Sequence, residues 1–412
     1  MSEEKLFPKL RFSEYTDNFK SSRLEDVCEV KGRIGFRGYT KSDLVGKNEG
    51  ALTLGGKHID SNDKLNLDDP DYLSWEKYEE SPEIKVKVGN IILAQRGTLG
   101  QSALIDKDIG KATINPSMVL LKDFKINNIF LHYLLTTSKL KKEVIRKSSS
   151  TAVPMISQAE IKKLKINYPS SSEQEKIGHF FKITDNKIEL LKNKLKSYQN
   201  FKKYLMQQIF AQKLRFAEYN EKYDEYLISD LFTSKKGSGL SKDTIENDGT
   251  NKCVLYGELY TTYNEIIDNV KSRTNSECNC LSKSGDILIP ASTTTKGIDL
   301  VTASVILEDN VYLGGDITIL RNKDESIVNN SYFAYYFTNG LIKEVSRLTQ
   351  GSTIIHLYWK DFKKVNVKLP SIEEQEKITN MFVDIDKKLN DINNSIESIQ
   401  KFKKGLLQQM FV

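Results

Sequence analysis

Three charged residues in the first third of the chain have the order of a metal-dependent nuclease site. Asp71 follows a proline, and Glu83 and Lys85 come after it in the tripeptide Glu-Ile-Lys, which spells a loose PD…ExK pattern. Two carboxylates and a lysine of this kind can bind Mg²⁺ and activate a water molecule for phosphodiester cleavage. The pattern is short enough to arise by chance, and the second half of the chain has no equivalent. A DNA-acting nuclease therefore stands only as an alternative hypothesis.

The other residues that could carry chemistry do not complete a known motif. The segments Asp69–Tyr72 and Asn115–Met118 approach the N/D-P-P-Y/F loop of methyltransferases, but both lack its second proline. Cys278 and Cys280 have no companion pair of cysteines, so a zinc site is not indicated. The sequence therefore favours neither methyl transfer nor bound metal.

Basic and hydroxyl side chains are concentrated in glycine-rich loops such as GRIGFRGYTK, AQRGTLGQS, SKKGSGLSK and ASTTTKG. Arg, Lys, Ser and Thr are the residues that hold phosphates and reach the edges of bases. Each could equally be a solvated surface residue, because polar loops are the default on any protein surface. The candidate DNA-contacting residues are Arg33, Arg37, Lys41, Arg96, Thr98, Lys235, Lys236, Lys242, Thr294 and Lys296.

The segments that would position these loops occur twice in the sequence. Glu173–Phe210 aligns without a gap on Glu374–Phe411, and 18 of these 38 positions are identical. The copies open with YPSSSEQEKI and LPSIEEQEKI, and each half of the chain begins with a related anchor, KLRFSEY or KLRFAEY. The segments between the anchors and these copies barely align. The chain is therefore an internal duplication in which one scaffold carries two different inserts.

The duplicated segment predicts a long helix in each half. Ser170–Ser172 can cap the first helix, and Glu173 and Glu175 suit the positive end of its dipole. Apolar residues then recur at alternating spacings of four and three, which indicates a coiled-coil seam. The predicted seam consists of Ile177, Phe181, Ile188, Leu191, Leu195, Ile378, Phe382, Leu389, Ile392 and Ile396, and Phe201 and Phe402 extend the series.

The partner that we expect for each long helix is the other one, although packing on its own domain or on a second chain is an alternative. In an antiparallel pair, Gln408–Val412 would meet the N-terminal segment Phe7–Phe12. The inserts mix short β-rich runs with helical stretches, which is typical of α+β domains. The predicted fold is α+β: two α/β domains joined by two long antiparallel coiled-coil helices, with a pseudo-twofold internal repeat. The predicted domains are residues 1–155, 156–212, 213–356 and 357–412.

The P-S-x-x-EQEKI helix starts, the KLRF-x-EY anchors and the divergent inserts together resemble the specificity subunit of type I restriction–modification enzymes. This resemblance covers essentially the whole chain. It implies that residues 1–155 and 213–356 are target recognition domains, each of which reads half of a bipartite double-stranded DNA site. Because the two inserts differ, the site should be asymmetric.

The resemblance also implies what the chain assembles with. The helical pair would set the spacer between the half-sites and dock two DNA adenine methyltransferase subunits, and motor–nuclease subunits would complete the restriction enzyme. The chain itself would be non-catalytic and bind no cofactor, with S-adenosylmethionine, ATP and Mg²⁺ on the partner subunits. A coiled-coil adaptor that does not bind DNA is the other alternative, but it leaves two elaborate inserts without a purpose.

Composition is compatible with this interpretation. The net charge of +6, from 61 basic and 55 acidic side chains, permits a polyanionic partner without requiring one. No apolar run is long enough to span a membrane. The charged N-terminus and the four irregularly spaced cysteines predict a reduced, cytoplasmic protein.

Overall fold

The computed structural model describes residues 6–149 and 153–412, and the chain forms two compact units. Unit 1 consists of Met1–Lys192 and Asn394–Val412, and unit 2 consists of Asn193–Asn393. Both units combine helices with mainly antiparallel sheets, so the α+β class is confirmed. Within the described residues, no helix has both the length and the apolar composition of a membrane span.

Unit 1 is built on two four-stranded sheets. Its strands are β1 (Lys20–Arg23), β2 (Glu29–Gly32), β3 (Leu44–Val45), β4 (Gly50–Leu54), β5 (Asp71–Ser74), β6 (Ile91–Ala94), β7 (Ser102–Leu104), β8 (Ala112–Ile114), β9 (Met118–Lys122) and β10 (Lys165–Tyr168). Its shorter helices are α1 (Leu24–Val27), α2 (Trp75–Glu79), α3 (Asn128–Thr136), α4 (Ser138–Arg146) and α5 (Gln158–Lys162). The sheets have the strand orders β2-β9-β6-β7 and β3-β5-β4-β8.

The central strands of unit 1 are continuous apolar runs, because both faces of their sheet are covered. β6 reads IILA and is buried throughout, and β9 reads MVLLK with only its last residue partly exposed. On one face, Ile91 and Leu93 pack in one cluster with Phe130 and Leu134 of α3. The alternate residues of β6 pack into a second cluster that is shared with the other sheet.

Unit 2 repeats the same plan with a five-stranded main sheet. Its strands are β11 (Asp224–Leu227), β12 (Phe232–Lys236), β13 (Asn251–Val254), β14 (Ile266–Ile267), β15 (Ser272–Thr274), β16 (Ile287–Pro290), β17 (Ser292–Thr293), β18 (Ser304–Ile306), β19 (Tyr312–Leu313), β20 (Ile317–Asn322), β21 (Ile355–His356) and β22 (Asn366–Leu369). The main sheet has the order β12-β20-β16-β18-β14, beside a three-stranded sheet β15-β13-β19 and the pair β17-β21.

Two long helices occupy the duplicated positions of the chain. α6 spans Ser171–Phe210, the short helices of unit 2 are α7 (Ile228–Leu231), α8 (Glu258–Thr261), α9 (Asn330–Gly340), α10 (Ile342–Ser346) and α11 (Trp359–Phe362), and α12 spans Ile372–Gln409. A two-stranded sheet leads into each long helix, with β1 paired to β10 and β11 paired to β22. The prediction of a long helix in each half is confirmed.

Within each unit, the first part of one long helix runs beside the last part of the other. In unit 1, Lys403 Nζ lies 2.6 Å from Asp185 Oδ1. In unit 2, Lys202 Nζ lies 2.8 Å from Asp386 Oδ2. Leu10 N donates to Gln409 O at 3.0 Å in unit 1, so the two terminal segments meet as expected.

Most residues of the predicted seam are buried, but they pack with domain residues as well as with helix residues. Phe181 lies 5.8 Å from Phe411, between ring centroids, in the core of unit 1, and Phe382 belongs to the core of unit 2. Ile177, Ile188, Ile378, Ile392 and Ile396 are also buried, and Leu191, Leu195 and Leu389 are half-buried. The extension of the series to Phe201 and Phe402 is wrong, because these side chains are 50% and 58% exposed.

Candidate functional site

The loops of unit 1 that carry the predicted DNA contacts emerge at one edge of its main sheet. β2 and β6 both pair antiparallel with β9, and Gly32 and Leu93 share the same partner, Val119. The ends of these two strands therefore lie at the same edge. A third segment joins them, because Ile156 N donates to Gln95 O at 2.9 Å. We call residues 33–41, 95–101, 148–149 and 153–156 the strand-end loops of unit 1.

Unit 2 builds the corresponding edge in the same way. β12 and β16 both pair antiparallel with β20, and Lys236 and Ile289 share the partner Thr318. The third segment is attached by a hydrogen bond from Leu357 N to Ala291 O at 3.0 Å. Residues 237–242, 291–298 and 349–357 are the strand-end loops of unit 2. Each unit thus places three loops of different sequence on one framework.

The predicted contacts in the second loop of unit 1 are accessible. Arg96 and Thr98 are both exposed in the loop that follows β6. The backbone of Arg96 forms an antiparallel bridge with Met155, and Gly97 between the two residues has a φ of +78°. The left-handed conformation favours glycine at this position. Arg96 and Thr98 are thereby held at the surface by backbone contacts.

The three predictions in the first loop of unit 1 have different outcomes. Arg33 is only 6% exposed, and its guanidinium donates to Thr113 Oγ1 at 3.2 Å, while burial lowers the pKa of Arg33. This placement corrects the expectation for Arg33, because its donors are used inside the domain. Arg37 is half-buried and donates to Glu83 Oε2 at 3.4 Å. Lys41 is exposed at the start of a 3₁₀ turn.

The five predicted contacts of unit 2 are all exposed. Lys235 and Lys236 lie on β12, the edge strand of the main sheet, whose last four residues face solvent. Lys242 begins a 3₁₀ turn, and Thr294 and Lys296 follow β17. Lys236, Lys242, Thr294 and Lys296 lie in the strand-end loops or directly beside them. Lys235 lies one residue before the end of β12.

The residues of the alternative nuclease motif do not form one site. Asp71 Oδ1 accepts from Lys57 Nζ at 2.9 Å, whereas Glu83 pairs with Arg37 and Lys85 pairs with Glu79. Within residues 6–149 and 153–412, no group of three or more metal-binding side chains is present. The nuclease hypothesis is not favoured, because each charge is engaged by a separate partner.

Sequence reasoning missed the role of the glutamate that opens each EQEKI motif. Glu173 is fully buried, and its two oxygens accept from Arg11 Nε and Nη2 at 2.8 and 2.7 Å. Glu374 is fully buried as well and accepts from Nε and Nη2 of Arg215 at 2.9 and 2.7 Å. These bonds raise the pKa of both arginines. A sequence signal was available, because the arginine of KLRF and the glutamate of EQEKI recur together in both halves.

The glutamine of the same motif connects each long helix to its domain. Gln174 accepts from Asn127 N and donates to Pro169 O, at 2.9 and 2.8 Å. Asn127 in turn caps α3 by accepting from Phe130 N at 2.9 Å. Gln375 makes the matching bond with Asn329 N, which precedes α9. The repeated Glu-Gln pair therefore fixes the start of each long helix to the KLRF segment of the same half and to the domain core.

The arrangement comprises two loop-bearing α+β units, each anchored on a long helix, and known proteins share it. Residues 16–198 and 220–401 match the family model of the type I restriction modification DNA specificity domain, and the chain belongs to this family. It is accordingly a specificity subunit of a type I restriction–modification system, a non-catalytic component that determines DNA sequence specificity.

One relative and two solved structures are distant in sequence but match nearly the whole chain. The chain is 21% identical over 422 residues to the MjaX specificity subunit of a type I restriction enzyme from Methanocaldococcus jannaschii, covering 98% of this chain and 95% of the relative. The crystal structure of a type I restriction–modification S subunit from M. genitalium has a TM-score of 0.61 at 16% identity, with 99% of both chains covered. The HsdS subunit from Thermoanaerobacter tengcongensis has a TM-score of 0.51 at 16% identity, over 100% of this chain and 98% of that one.

Proposed function

We propose that each unit reads one half of an asymmetric, bipartite double-stranded DNA site through its strand-end loops. The observation that carries this proposal is the shared framework with unlike side chains. The loop after the central strand presents Arg96 and Thr98 in unit 1, but Thr294 and Lys296 in unit 2. Two domains that share a fold and expose different side chains are suited to bind two different half-sites. The target recognition domains are then residues 1–155 and 213–356.

The residues that we propose to contact DNA are the predicted ones whose side chains are accessible to solvent. Arg96, Thr98 and Lys41 serve in unit 1, with Arg37 a weaker donor because it already pairs with Glu83. Lys235, Lys236, Lys242, Thr294 and Lys296 serve in unit 2. Arg33 is left out because its guanidinium is used within the domain. The lysines contact phosphates, and Arg96 is suited to the paired acceptors of guanine.

Residues 156–212 and 357–412 form the spacer of the proposed complex and dock two adenine methyltransferase subunits. Phe201 and Phe402 support this, because they are exposed and occupy equivalent positions of the duplication. The exposed Leu190, in contrast, corresponds to Asp391. An aromatic side chain exposed once in each copy is suited to anchor two copies of one partner.

The remaining partners and cofactors follow from the family. Motor–nuclease subunits join the complex, and S-adenosylmethionine, ATP and Mg²⁺ act on the partner subunits rather than on this chain. We place the assembly in the cytoplasm, where double-stranded DNA is accessible to it. A coiled-coil adaptor without DNA contacts remains the alternative that the experiments must exclude.

Filter binding at varied salt tests the DNA contact directly, with the methyltransferase subunits present. Each phosphate contact contributes about one unit to the slope of log K against log salt. We expect Lys296→Ala to lower the slope by about 1. Lys283→Ala is the matched control, because this exposed lysine precedes β16 at the opposite end of the strand. A complex that shows no salt dependence would support the adaptor instead.

Native mass spectrometry tests the docking sites. Phe201→Ser and Phe402→Ser should each leave one methyltransferase subunit bound, and the double variant should leave none. Leu190→Ser is the control, since it removes an exposed apolar side chain that has no apolar counterpart in the other copy. Two bound subunits on the double variant would show that these phenylalanines do not anchor the partner.

A further inference from the structure

Two branched aliphatic side chains stand exposed in the strand-end loops of unit 2. Ile298 and Ile354 are 51% and 50% exposed. They lie in loops that the pairing of β17 with β21 holds together, with Ser292 opposite His356. Isolated exposed isoleucines need no explanation on an ordinary surface. Two of them on adjacent, polar loops of a proposed DNA-reading edge call for a common partner.

The backbone around these isoleucines is closely determined. Gln350 and His356 exchange both backbone hydrogen bonds, at 2.9 and 2.7 Å. Gly351 has a φ of +118°, and an added Cβ there would lie 2.1 Å from Ile354 O. A Cβ on Gly297 would lie 2.6 Å from Thr349 Oγ1, so the two loops approach each other as closely as glycine permits. The two loops that carry the isoleucines are therefore in close backbone contact with each other.

The surroundings match a polyanion that also offers apolar groups. Lys296 is exposed beside Ile298, and Lys360 Nζ lies 5.2 Å from the ring centroid of Tyr358. The nearby carboxylates face protein partners: Asp299 accepts from Lys296 N at 3.1 Å, and Asp361 accepts from Gln350 Nε2 at 3.2 Å. In the major groove of DNA, the apolar group that distinguishes one base is the C5 methyl of thymine.

We propose that Ile298 and Ile354 contact thymine methyl groups in the major groove, and that the half-site read by unit 2 therefore contains thymine. This inference rests on the proposed function, because it assigns one specificity contact within the DNA-reading edge.

Deoxyuridine supplies the test, because it keeps the pairing of thymine and lacks only the methyl group. The assembled complex with its methyltransferase subunits is bound to duplexes in which the thymines of one half-site at a time are replaced. For one half-site, we expect wild-type affinity to fall about fourfold for each contacted methyl group. The double variant Ile298→Ala/Ile354→Ala should bind the thymine duplex and the deoxyuridine duplex of that half-site equally. Leu307→Ala, an exposed aliphatic outside these loops, should discriminate as the wild type does.

Three outcomes overturn the inference. The first is equal wild-type binding of thymine and deoxyuridine duplexes in both half-sites, and the second is discrimination that persists in the double variant. The third is loss of methyltransferase subunits from the double variant, measured by native mass spectrometry, which would make the isoleucines a protein contact. Failure of the proposed function is distinguishable from these outcomes, because the wild-type complex would then select no half-site at all.

Discussion

The buried ion pair at the start of α12 gives a prediction whose size follows from the structure. Glu374 is fully buried, and its side-chain partners are the guanidinium of Arg215 and, at 3.4 Å, the hydroxyl of Tyr223. Arg215→Met leaves a carboxylate inside the protein with one long hydrogen bond. Removing one member of a buried pair costs roughly 3–5 kcal/mol. We expect about 3 kcal/mol, because Arg215 is itself partly exposed and its removal admits some water.

Urea unfolding followed by circular dichroism measures this loss, and a double-mutant cycle isolates the pair. Arg215→Met/Glu374→Met should recover most of the lost stability, because it removes both charges and keeps the volume. The control is the neighbouring pair of Glu218 and Lys377, whose side chains are 51% and 43% exposed. Lys377→Met should cost less than about 1 kcal/mol. If Arg215→Met costs no more than Lys377→Met, the buried pair does not anchor the helix start.

Further predictions concern buried groups of unit 1. Burial lowers the pKa of His132 from 6.5 to about 4. The contribution of the neutral His132 to the free energy of unfolding is therefore fully present above pH 6.5 and is lost as the pH falls towards 4. His132→Met should therefore reduce the loss between pH 7 and 5.5 by about 1 kcal/mol in urea unfolding, with the exposed His179→Gln as control, and equal losses in both variants would contradict this. Arg33→Met should lower the free energy of unfolding by about 1–3 kcal/mol and leave the salt slope of DNA binding unchanged. Lys41→Ala should lower the salt slope and leave the free energy of unfolding unchanged. The opposite pattern would restore Arg33 as a DNA contact.

The long helices were predictable because their signals are local. The 4-3 spacing of apolar residues and the near-identity of two segments are properties of the sequence itself, and they fix helix position and duplication. Phe201 and Phe402 show the limit of the pattern. They continue the apolar series, but burial depends on which residues face the domain and the other helix segment, and these two face solvent.

The internal contacts were not predictable from local patterns. The position of Glu173 in the sequence indicates only a residue at the start of a helix. Its ion pair is not visible in the local pattern, because its partner Arg11 is 162 positions away. Arg33 looked exposed because it stands in a glycine-rich, basic loop, yet Thr113 from a distant strand accepts its hydrogen bond. The sequence located the loops of Arg96 and Lys296, but only the strand pairing shows which loops share one edge.

Mapping methylated adenines tests the central claim most directly. The chain is co-expressed with its methyltransferase subunit, and the DNA is read by single-molecule sequencing. Two units of the same build with different strand-end loops predict one bipartite motif, with unlike half-sites and a spacer of fixed length. Methylation at a palindrome, or no methylation at all, would contradict the account.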